Sequence, residues 1–373
     1  MKVIISGGGT GGHIFPAIAI ANVIQKHQSD SDILFIGASG RMEMQKVPQA
    51  GYKIEGLNIK GFQRKKIWKN LSLPIKMISS LLKAKQIIKE FRPDIVIGVG
   101  GYASWATLFA AQKLGIPTLI QEQNSLAGKT NQILAKKASA ICVAYGNMDK
   151  YFPEDKIIFT GNPVRNNIAS FNDNTNGERT ESLQHFDLKE GMKTLFVTGG
   201  SLGAGSINKV IDENLQYFID NNIQLLWQTG KSYYSHIIDS VSTLFKHSPK
   251  AKELIHIHEF ITDMDKAYRV ADVIMARAGA LSISELCLVG KPLILVPSPN
   301  VAEDHQTKNA TALVNRNAAL MIKDTELDSL FVNVLDGLIK DEIKMKTLGK
   351  NIIQLGIRDA DERIFKVINE LVK

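Results

Sequence analysis

Two short apolar strands, each followed by a glycine-rich loop, are the features that most constrain this chain. The first runs from residues 3–6 into the loop GGGTGGH at 7–13, and the second from residues 195–198 into the loop GGSLGA at 199–204. Backbone N–H groups of such a loop, at a helix N-terminus, bind negatively charged oxygen. One loop is weak evidence, because glycine also serves purely steric needs. Two loops about half a chain apart predict two nucleotide-type α/β domains facing a shared cleft.

Alternation of strand and helix patterns supports a doubly wound parallel sheet in each half. Helical periodicity between the strands is clearest at residues 16–26, 73–90, 105–114 and 128–136. The predicted strands are residues 2–6, 33–36, 95–99, 118–121 and 140–143 in the first half and 194–198, 224–228, 255–260, 273–276, 293–296 and 319–322 in the second.

Length and turn composition predict where the domains divide. A chain of 373 residues exceeds the size at which a single core usually stops growing. The turn-rich segment TGNPVR at residues 160–165 suits a hinge. We therefore predict an N-terminal domain over residues 1–163 and a C-terminal domain over 164–356. The last segment, 357–373, is predicted to be a helix that packs back on the first domain.

Composition and cysteine count argue against a membrane-spanning, a secreted and a disulfide-rich protein. Hydrophobic residues make up 44% of the chain and charged residues 22%, as in ordinary globular proteins. No apolar run reaches the ~18 residues that span a bilayer. The first strand follows Met1 and Lys2 without room for a signal peptide, so we expect a cytoplasmic protein. Cys142 and Cys287 lie in apolar segments and are predicted to be buried thiols, neither disulfide-bonded nor zinc ligands.

The net charge of +8 indicates a polyanionic partner, and the basic residues concentrate between residues 60 and 92. Glu90 is the only acidic residue there, and apolar side chains lie among the lysines, as in surfaces that bind anionic membranes. The residues predicted to contact the membrane are Ile67, Trp68, Leu71, Leu73 and Ile75. For these five residues a core-facing amphipathic helix is an equally good explanation. For Ile78, Leu81 and Leu82 it is the explanation that we favour.

The first glycine loop formally matches the dinucleotide fingerprint GxGxxG, which would indicate a nicotinamide-dependent dehydrogenase. That fingerprint requires an acidic residue at the end of the second strand. Residues 37–40, GASG, supply none, although Arg41 keeps an NADP-binding interpretation open. We predict no cofactor.

The segment RAGALSISE at residues 277–285 is a better candidate nucleotide site. It follows a predicted strand and opens a helix, so backbone amides near Ala280 and Leu281 suit a diphosphate. Glu285 lies about two turns into that helix and could accept hydrogen bonds from two ribose hydroxyls. A solvated or intrahelical charge is the alternative explanation of this single glutamate.

Seven motifs occur in an order that points to one family. They are GGTGGH at 8–13, GGY at 100–102, QEQN at 121–124, GNPVR at 161–165, GGSLGA at 199–204, RAGALSISE at 277–285 and DHQTKNA at 304–310. Together they closely resemble the MurG family of bacterial cell-wall N-acetylglucosaminyltransferases over essentially the whole chain. Only the stretch 172–182 is unlike the family. The resemblance implies the GT-B fold, with two Rossmann-like doubly wound parallel-sheet domains facing a cleft.

The activity that the resemblance implies is an inverting hexosyl transfer in peptidoglycan synthesis. N-acetylglucosamine would pass from UDP-N-acetylglucosamine to the 4-hydroxyl of the muramoyl sugar of lipid I, undecaprenyl-pyrophosphoryl-MurNAc-pentapeptide, to form lipid II. The enzyme would be a peripheral protein at the cytoplasmic face of the bacterial cell membrane. Its partners would include an anionic phospholipid surface, and we expect no nucleic acid among them. Whether it contacts other cell-wall synthesis proteins stays open.

His13 is the candidate general base, because a helix N-terminus disfavours an imidazolium and keeps the ring able to accept a proton. A histidine that only caps the loop is the alternative. The resemblance implies that UDP-N-acetylglucosamine is bound by Thr10, Gly11, Gly12, Asn124, Arg165, Ser201, the backbone of Ile261, Ala280, Leu281, Glu285, His305 and Gln306. For the acceptor diphosphate it implies Gly8, Gly9, Thr10, Gly11, Gly12 and Tyr102.

Three DxD patterns, at residues 30–32, 263–265 and 359–361, match the metal-binding motif of the other large glycosyltransferase fold. So short a pattern arises by chance, and Asp263 is better explained as a helix N-cap. We predict no metal site and leave open whether Mg²⁺ accompanies UDP.

Other functions remain as alternatives to the transfer. Within the GT-B enzymes, a lipid glucosyltransferase or a non-hydrolysing sugar epimerase would also use a UDP-sugar. A basic nucleic-acid-binding protein is indicated by charge alone, since the chain lacks the stacking-aromatic motifs of the usual modules.

Overall fold

The chain forms two compact units in a computed structural model that describes residues 1–9, 11–59, 73–171, 176–301 and 304–373. Unit 1 comprises Met1–Arg165 and Asp359–Lys373, and unit 2 comprises Asn166–Arg358. The sequence predicts boundaries after residues 163 and 356, and the two units divide after Arg165 and Arg358.

Unit 1 is a doubly wound α/β domain. Its strands are β1 (Lys2–Ser6), β2 (Asp32–Ala38), β3 (Lys53–Leu57), β4 (Ile95–Gly98), β5 (Thr118–Glu122), β6 (Ala140–Val143) and β7 (Ile157–Phe159). Its first helices are α1 (Gly11–His27), α2 (Glu43–Gln49), α3 (Leu73–Phe91), α4 (Tyr102–Lys113) and α5 (Lys129–Ala135), and a 3-10 turn covers Glu154–Lys156. Within the described residues the strands form one sheet in the order β3-β2-β1-β4-β5-β6-β7, and neighbouring strands pair in parallel.

Unit 2 repeats this architecture with a second parallel sheet. Its strands are β8 (Thr194–Thr198), β9 (Gln224–Gln228), β10 (Ile255–His258), β11 (Val273–Ala276), β12 (Leu293–Leu295) and β13 (Leu320–Met321), in the order β10-β9-β8-β11-β12-β13. Its helices are α6 (Asn166–Ala169), α7 (Asn176–His185), α8 (Gly205–Glu213), α9 (Leu215–Asn221), α10 (Tyr234–His247), α11 (Pro249–Leu254), α12 (Met264–Val270), α13 (Ala280–Val289), α14 (His305–Val314), α15 (Leu327–Ile339) and α16 (Glu342–Ile353), with a 3-10 turn at Asp324–Glu326.

The predicted parallel sheets are confirmed, and the two strands that the sequence prediction missed both lie at edges of the first sheet. β3 and β7 are the outermost strands, and most of their residues are partly or fully exposed. Interior strands such as β4 and β5 are buried at every position. A strand covered by helices on both faces needs a continuous apolar run, whereas an edge strand does not, so in unit 1 the apolar runs identified only the interior strands.

The core of unit 1 lies on both faces of its sheet. Successive residues of β1 point to opposite faces, so Val3 and Ile5 belong to one buried cluster and Ile4 to the other. The last helix, α17 (Ala360–Val372), packs against α1 and contributes Ile368 to the cluster that holds Val3. At the surface, Glu362 of α17 accepts hydrogen bonds from Lys26 and pairs with His27. The C-terminal helix is thus an integral part of unit 1.

Helix α3 exposes an apolar stripe, and this corrects one sequence prediction. Ile75, Ile78 and Leu82 are 72%, 61% and 63% exposed, so the prediction that Ile78 and Leu82 face the core is wrong. Leu81 is half-buried and packs against the core. The spacing of Ser80, Ala84, Ile87 and Ile88 explains the difference, because these buried residues already fill the inner face of the helix.

Three residues predicted to contact a membrane, Ile67, Trp68 and Leu71, lie outside the described residues, as does the side chain of Leu73. Of the five predicted residues, Ile75 is the one whose side chain the structure describes, and it is exposed. Among the described helices, none combines the length and hydropathy needed to span a membrane.

The packing of α17 predicts a large loss of stability for Ile368→Ala. The side chain is fully buried, and removing such a side chain to alanine destabilises a protein by about 2–5 kcal/mol. The matched control is Ile343→Ala on α16, because Ile343 is 81% exposed. Urea unfolding followed by circular dichroism measures both. Equal midpoints for the two variants would show that α17 does not belong to the core of unit 1.

Candidate functional site

The glycine-rich loops lie where each sheet has its topological switch point. In unit 1, β1 and β4 are neighbours, and the strand order runs outward from them in both directions. In unit 2, β8 and β11 have the same relation. Ligands of open α/β sheets bind at such points, beyond the carboxyl ends of the strands. Each unit therefore offers one candidate binding edge.

His13 lies at the switch point of unit 1, in the first turn of α1. Its Nδ1 is 3.0 Å from the carbonyl oxygen of Gly8. Because a carbonyl can only accept, Nδ1 carries the proton, and Nε2 of the neutral ring does not. The ring packs on Gly100, where a Cβ atom would lie 2.9 Å from Nε2. Glycine at this position lets the loop after β4 approach the imidazole.

Glu43 fills the space beneath the first glycine loop, and no sequence motif indicated it. Its side chain is 1% exposed, and its two carboxylate oxygens accept hydrogen bonds from the backbone N–H groups of Gly9 and Ala38, each at 3.0 Å. A Cβ atom on Gly8 would lie 2.2 Å from the carboxylate. The Gly9 amide is thus engaged by Glu43, and a diphosphate bound by this amide would compete with that carboxylate.

The remaining loop residues have simpler positions. Gly11 and Gly12 begin α1, whereas Thr10 lies outside the described residues. Tyr102 begins α4 directly after Gly100 and Gly101, and it is exposed.

A second buried carboxylate holds the loop after β5. Glu122 is 2% exposed and accepts hydrogen bonds from the backbone N–H groups of Asn124 and Gly128, at 3.1 and 3.0 Å. It also accepts one from the side-chain amide of Asn131 at 2.9 Å. These contacts fix the backbone at Asn124, a half-buried residue of the predicted donor site. Arg165, another predicted donor residue, is exposed at the end of unit 1.

Gln228 connects two predicted donor segments of unit 2. Its amide nitrogen donates to Thr198 Oγ1 at 3.0 Å and to the Gly200 carbonyl at 3.2 Å, and its amide oxygen accepts from the backbone N–H of Ile261 at 2.8 Å. The exposed Ser201 follows Gly200 in the turn before α8. Sequence reasoning missed Gln228, although its position at the end of a predicted strand was an available signal.

Helix α13 carries three more residues of the predicted nucleotide site. Ala280 and Leu281 are its first two residues. Glu285 is 7% exposed and accepts a hydrogen bond from the hydroxyl of Tyr268 at 3.4 Å. The alternative of a solvated charge at Glu285 is therefore wrong.

Arg277 and Gln306 hydrogen-bond the backbone of the loop that follows β12 in unit 2. The guanidinium of Arg277 donates to the carbonyls of Val296 and Pro297, both at 3.2 Å, and hydrogen-bonds Ser206 and Asp324. Gln306 follows His305 at the start of α14, and its amide oxygen accepts from the backbone N–H of Ser298 at 2.9 Å. Both His305 and Gln306 are half-buried.

The prediction that Asp263 is a helix N-cap is confirmed for its position but not for its side chain. Asp263 occupies the N-cap position of α12, but its side chain makes no capping hydrogen bond. Its carboxylate instead lies 3.6 Å from His185 Nε2 and accepts from Thr262 Oγ1. Among the described residues, no group of three His, Cys, Asp or Glu side chains is arranged to hold a metal ion.

A doubly wound parallel sheet in each unit, with a glycine-rich loop at both switch points, is the architecture of the GT-B fold. Two family models match the chain: the glycosyltransferase family 28 N-terminal domain over residues 3–143 and the family 28 C-terminal domain over residues 194–364.

Curated relatives and solved structures narrow the class. An enzyme of Cytophaga hutchinsonii is 54% identical over 371 residues, covering 100% of this chain and 97% of its own. One of Bacteroides thetaiotaomicron is 51% identical, with coverage of 100% and 98%. Both are named UDP-N-acetylglucosamine–N-acetylmuramyl-(pentapeptide) pyrophosphoryl-undecaprenol N-acetylglucosamine transferase. The crystal structure of Acinetobacter baumannii MurG, 28% identical, superposes with a TM-score of 0.77 over 99% of both chains. The chain belongs to the MurG family.

A more distant structure shares the fold alone. The UDP-GlcNAc 2-epimerase of Neisseria meningitidis, bound to UDP-GlcNAc, is 16% identical with a TM-score of 0.67 over 99% of this chain and 100% of its own.

The two cysteines are predicted to be unreactive in the folded protein. Both are buried, as the sequence predicted, and burial raises the pKa of Cys142 and of Cys287 to about 12. Only thiolates react with iodoacetamide, so neither cysteine should be labelled near neutral pH until guanidinium unfolds the chain. Mass spectrometry of the labelled peptides measures this. Rapid labelling of either cysteine in the folded protein would contradict the burial.

Proposed function

We propose that this protein transfers N-acetylglucosamine from UDP-N-acetylglucosamine to the 4-hydroxyl of the muramoyl sugar of lipid I and so forms lipid II. The curated relatives at about half identity are named for this transfer, and they match the chain over its full length. The observation that carries our assignment of residues is the orientation of His13 at the switch point of unit 1, with Nδ1 held by a carbonyl.

In unit 2 we assign the donor nucleotide to the edge formed by β8, β9 and β11. The amides that begin α13 would hold the diphosphate, and the buried carboxylate of Glu285 would accept from the ribose hydroxyls. The backbone of Ile261, fixed by Gln228, would meet the uracil edge. The other residues that we assign to UDP-N-acetylglucosamine are Ser201 and Arg165 for the phosphates, Asn124, His305 and Gln306 for the hydroxyls of the transferred sugar, and Thr10, Gly11 and Gly12.

In unit 1 we assign the acceptor diphosphate to the N-terminus of α1. The amide of Gly9 donates to Glu43, so Gly11 and Gly12 are the amides best suited to bind phosphate oxygen. The positive end of a 17-residue helix favours an anion there. Gly8, Thr10 and Tyr102 complete the residues of this proposed subsite.

The transfer would proceed by direct displacement. Nε2 of His13 takes the proton of the acceptor 4-hydroxyl while the hydroxyl oxygen attacks C1 of N-acetylglucosamine. The bond from C1 to the UDP oxygen breaks, and its electron pair leaves on the diphosphate, where backbone amides and Arg165 stabilise the charge. Attack from the face opposite the leaving group inverts the configuration at C1.

We also propose that the protein binds the cytoplasmic face of the membrane through α3. The exposed stripe of Ile75, Ile78 and Leu82 would enter the lipid boundary. Lys76 follows Ile75 and Lys83 follows Leu82 in sequence, and both lysines would attract anionic headgroups. This arrangement suits an acceptor that carries a prenyl chain.

The transfer and its two sites predict different kinetic defects for two variants. Radiolabelled N-acetylglucosamine should pass from UDP to a short-chain lipid I analogue with the native chain. His13→Ala should lower kcat by about 10²- to 10⁴-fold, the contribution of a general base. Glu285→Ala should mainly raise KM for UDP-N-acetylglucosamine. Circular dichroism controls for folding, and a His13→Ala variant with nearly native kcat would refute the assignment of the base.

The membrane surface predicts loss of vesicle binding when the stripe becomes acidic. The double substitution Ile75→Glu with Ile78→Glu should abolish flotation with vesicles rich in phosphatidylglycerol, because it removes apolar groups and repels the headgroups. Ile343→Glu, at another exposed isoleucine on α16, is the matched control and should float like the native chain. Equal flotation of both variants would place the membrane contact elsewhere.

A further inference from the structure

A single peptide group, the one that joins Gly8 to Gly9, is hydrogen-bonded at both ends to side chains. Its carbonyl oxygen accepts from Nδ1 of His13 at 3.0 Å, and its N–H donates to a carboxylate oxygen of Glu43 at 3.0 Å. We propose that Glu43 is a positioning residue for the transfer, acting on His13 through this peptide group. The proposal rests on the assignment of His13 as the general base.

The packing around Glu43 shows a site shaped for its carboxylate. The second oxygen accepts from the Ala38 N–H at 3.0 Å, so each oxygen has a backbone donor. On Gly8 a Cβ atom would lie 2.2 Å from the carboxylate, and on Gly37 it would lie 2.5 Å from Cγ of the same side chain. A buried charge is tolerated only with such partners. Two glycines and two amides thus hold the anion directly beneath the loop.

The carboxylate has two effects on the imidazole. It polarises the peptide group, so that the Gly8 carbonyl becomes a stronger acceptor and holds the proton on Nδ1. Nε2 is then the nitrogen able to take the acceptor proton. Once the ring is protonated, the nearby negative charge stabilises the imidazolium. No proton moves along this series of hydrogen bonds.

This arrangement has the logic of a catalytic triad with a peptide group inserted between carboxylate and imidazole. Glu43 lies on α2, and His13 lies on α1. On the side of α4, the titratable residue nearest in sequence to Gly100, the glycine that lies against the ring, is Tyr102. Within the part of the chain that the structure describes, Glu43 is linked to the histidine through the Gly8–Gly9 peptide group.

The test compares two glutamates of similar burial in the same unit. Glu43→Gln removes the charge and leaves one acceptor oxygen for two N–H groups, whereas Glu43→Asp keeps the charge. Glu122→Gln makes the same change at a buried carboxylate that also accepts loop amides but has no bond to the Gly8–Gly9 peptide. A purely structural role would make Glu43→Gln and Glu122→Gln behave alike.

Nitrogen-15 NMR of the imidazole rings reads the proposed link without turnover. Signals of His13 are assigned by their loss in His13→Asn. We expect the Nδ1–H tautomer in the native chain, and a midpoint of His13 titration that moves to lower pH in Glu43→Gln but not in Glu122→Gln. In Glu43→Asp the midpoint should return part of the way to the native value. An Nε2–H tautomer in the native chain would overturn the proposal even if Glu43→Gln fails to fold.

Kinetics separate this proposal from the assignment of the base. Glu43→Gln should lower kcat on the order of 10²-fold, as misplaced catalytic groups do, with KM for UDP-N-acetylglucosamine little changed and the acid limb of the kcat profile moved to lower pH. A folded Glu43→Gln with an unmoved midpoint and acid limb would overturn the role of Glu43. Nearly native turnover by His13→Asn would instead refute the base and leave the NMR result standing.

Discussion

The parallel direction of the strands within each sheet is the constraint on which the rest of this structure depends. When all strands run the same way, their carboxyl ends meet at one edge, and every loop that follows a strand lies at that edge. The two glycine-rich loops lie at the centres of these edges because β1 and β8 are central strands. Loop amides, a histidine and a buried glutamate are thus gathered at one edge of the first sheet.

Buried side chains give these loops their conformation. Loops at a strand end have no ladder to satisfy their backbone N–H groups, and an unpaired buried amide is unfavourable. Glu43 and Glu122 each accept two such groups in unit 1, and Gln228 links two loops in unit 2. Because a buried carboxylate also needs these donors, loop and side chain stabilise each other. The same bonds that order the backbone orient the groups proposed to act on substrate.

The sequence predicted the interior strands, the two loops and the helix that begins at Ala280, since each has a local pattern. It did not predict the contact of Glu43 with Gly9, which depends on the register of two strands: Ser6 of β1 pairs with Ile36 of β2, and this brings the residues that follow them together. The error at Leu82 has a different cause. Apolar residues occur on both faces of α3, and periodicity alone does not tell which face the sheet covers.

The stereochemistry of the product is a direct test of the proposed displacement. If His13 activates the acceptor hydroxyl for direct displacement of UDP, the new bond must have the configuration opposite to that of the α-linked donor. Incubation with UDP-N-acetylglucosamine and a short-chain lipid I analogue, followed by proton NMR of the purified product, determines it. Direct displacement predicts a β-linkage to the muramoyl 4-oxygen. An α-linkage, or a sugar attached to another hydroxyl, would contradict it.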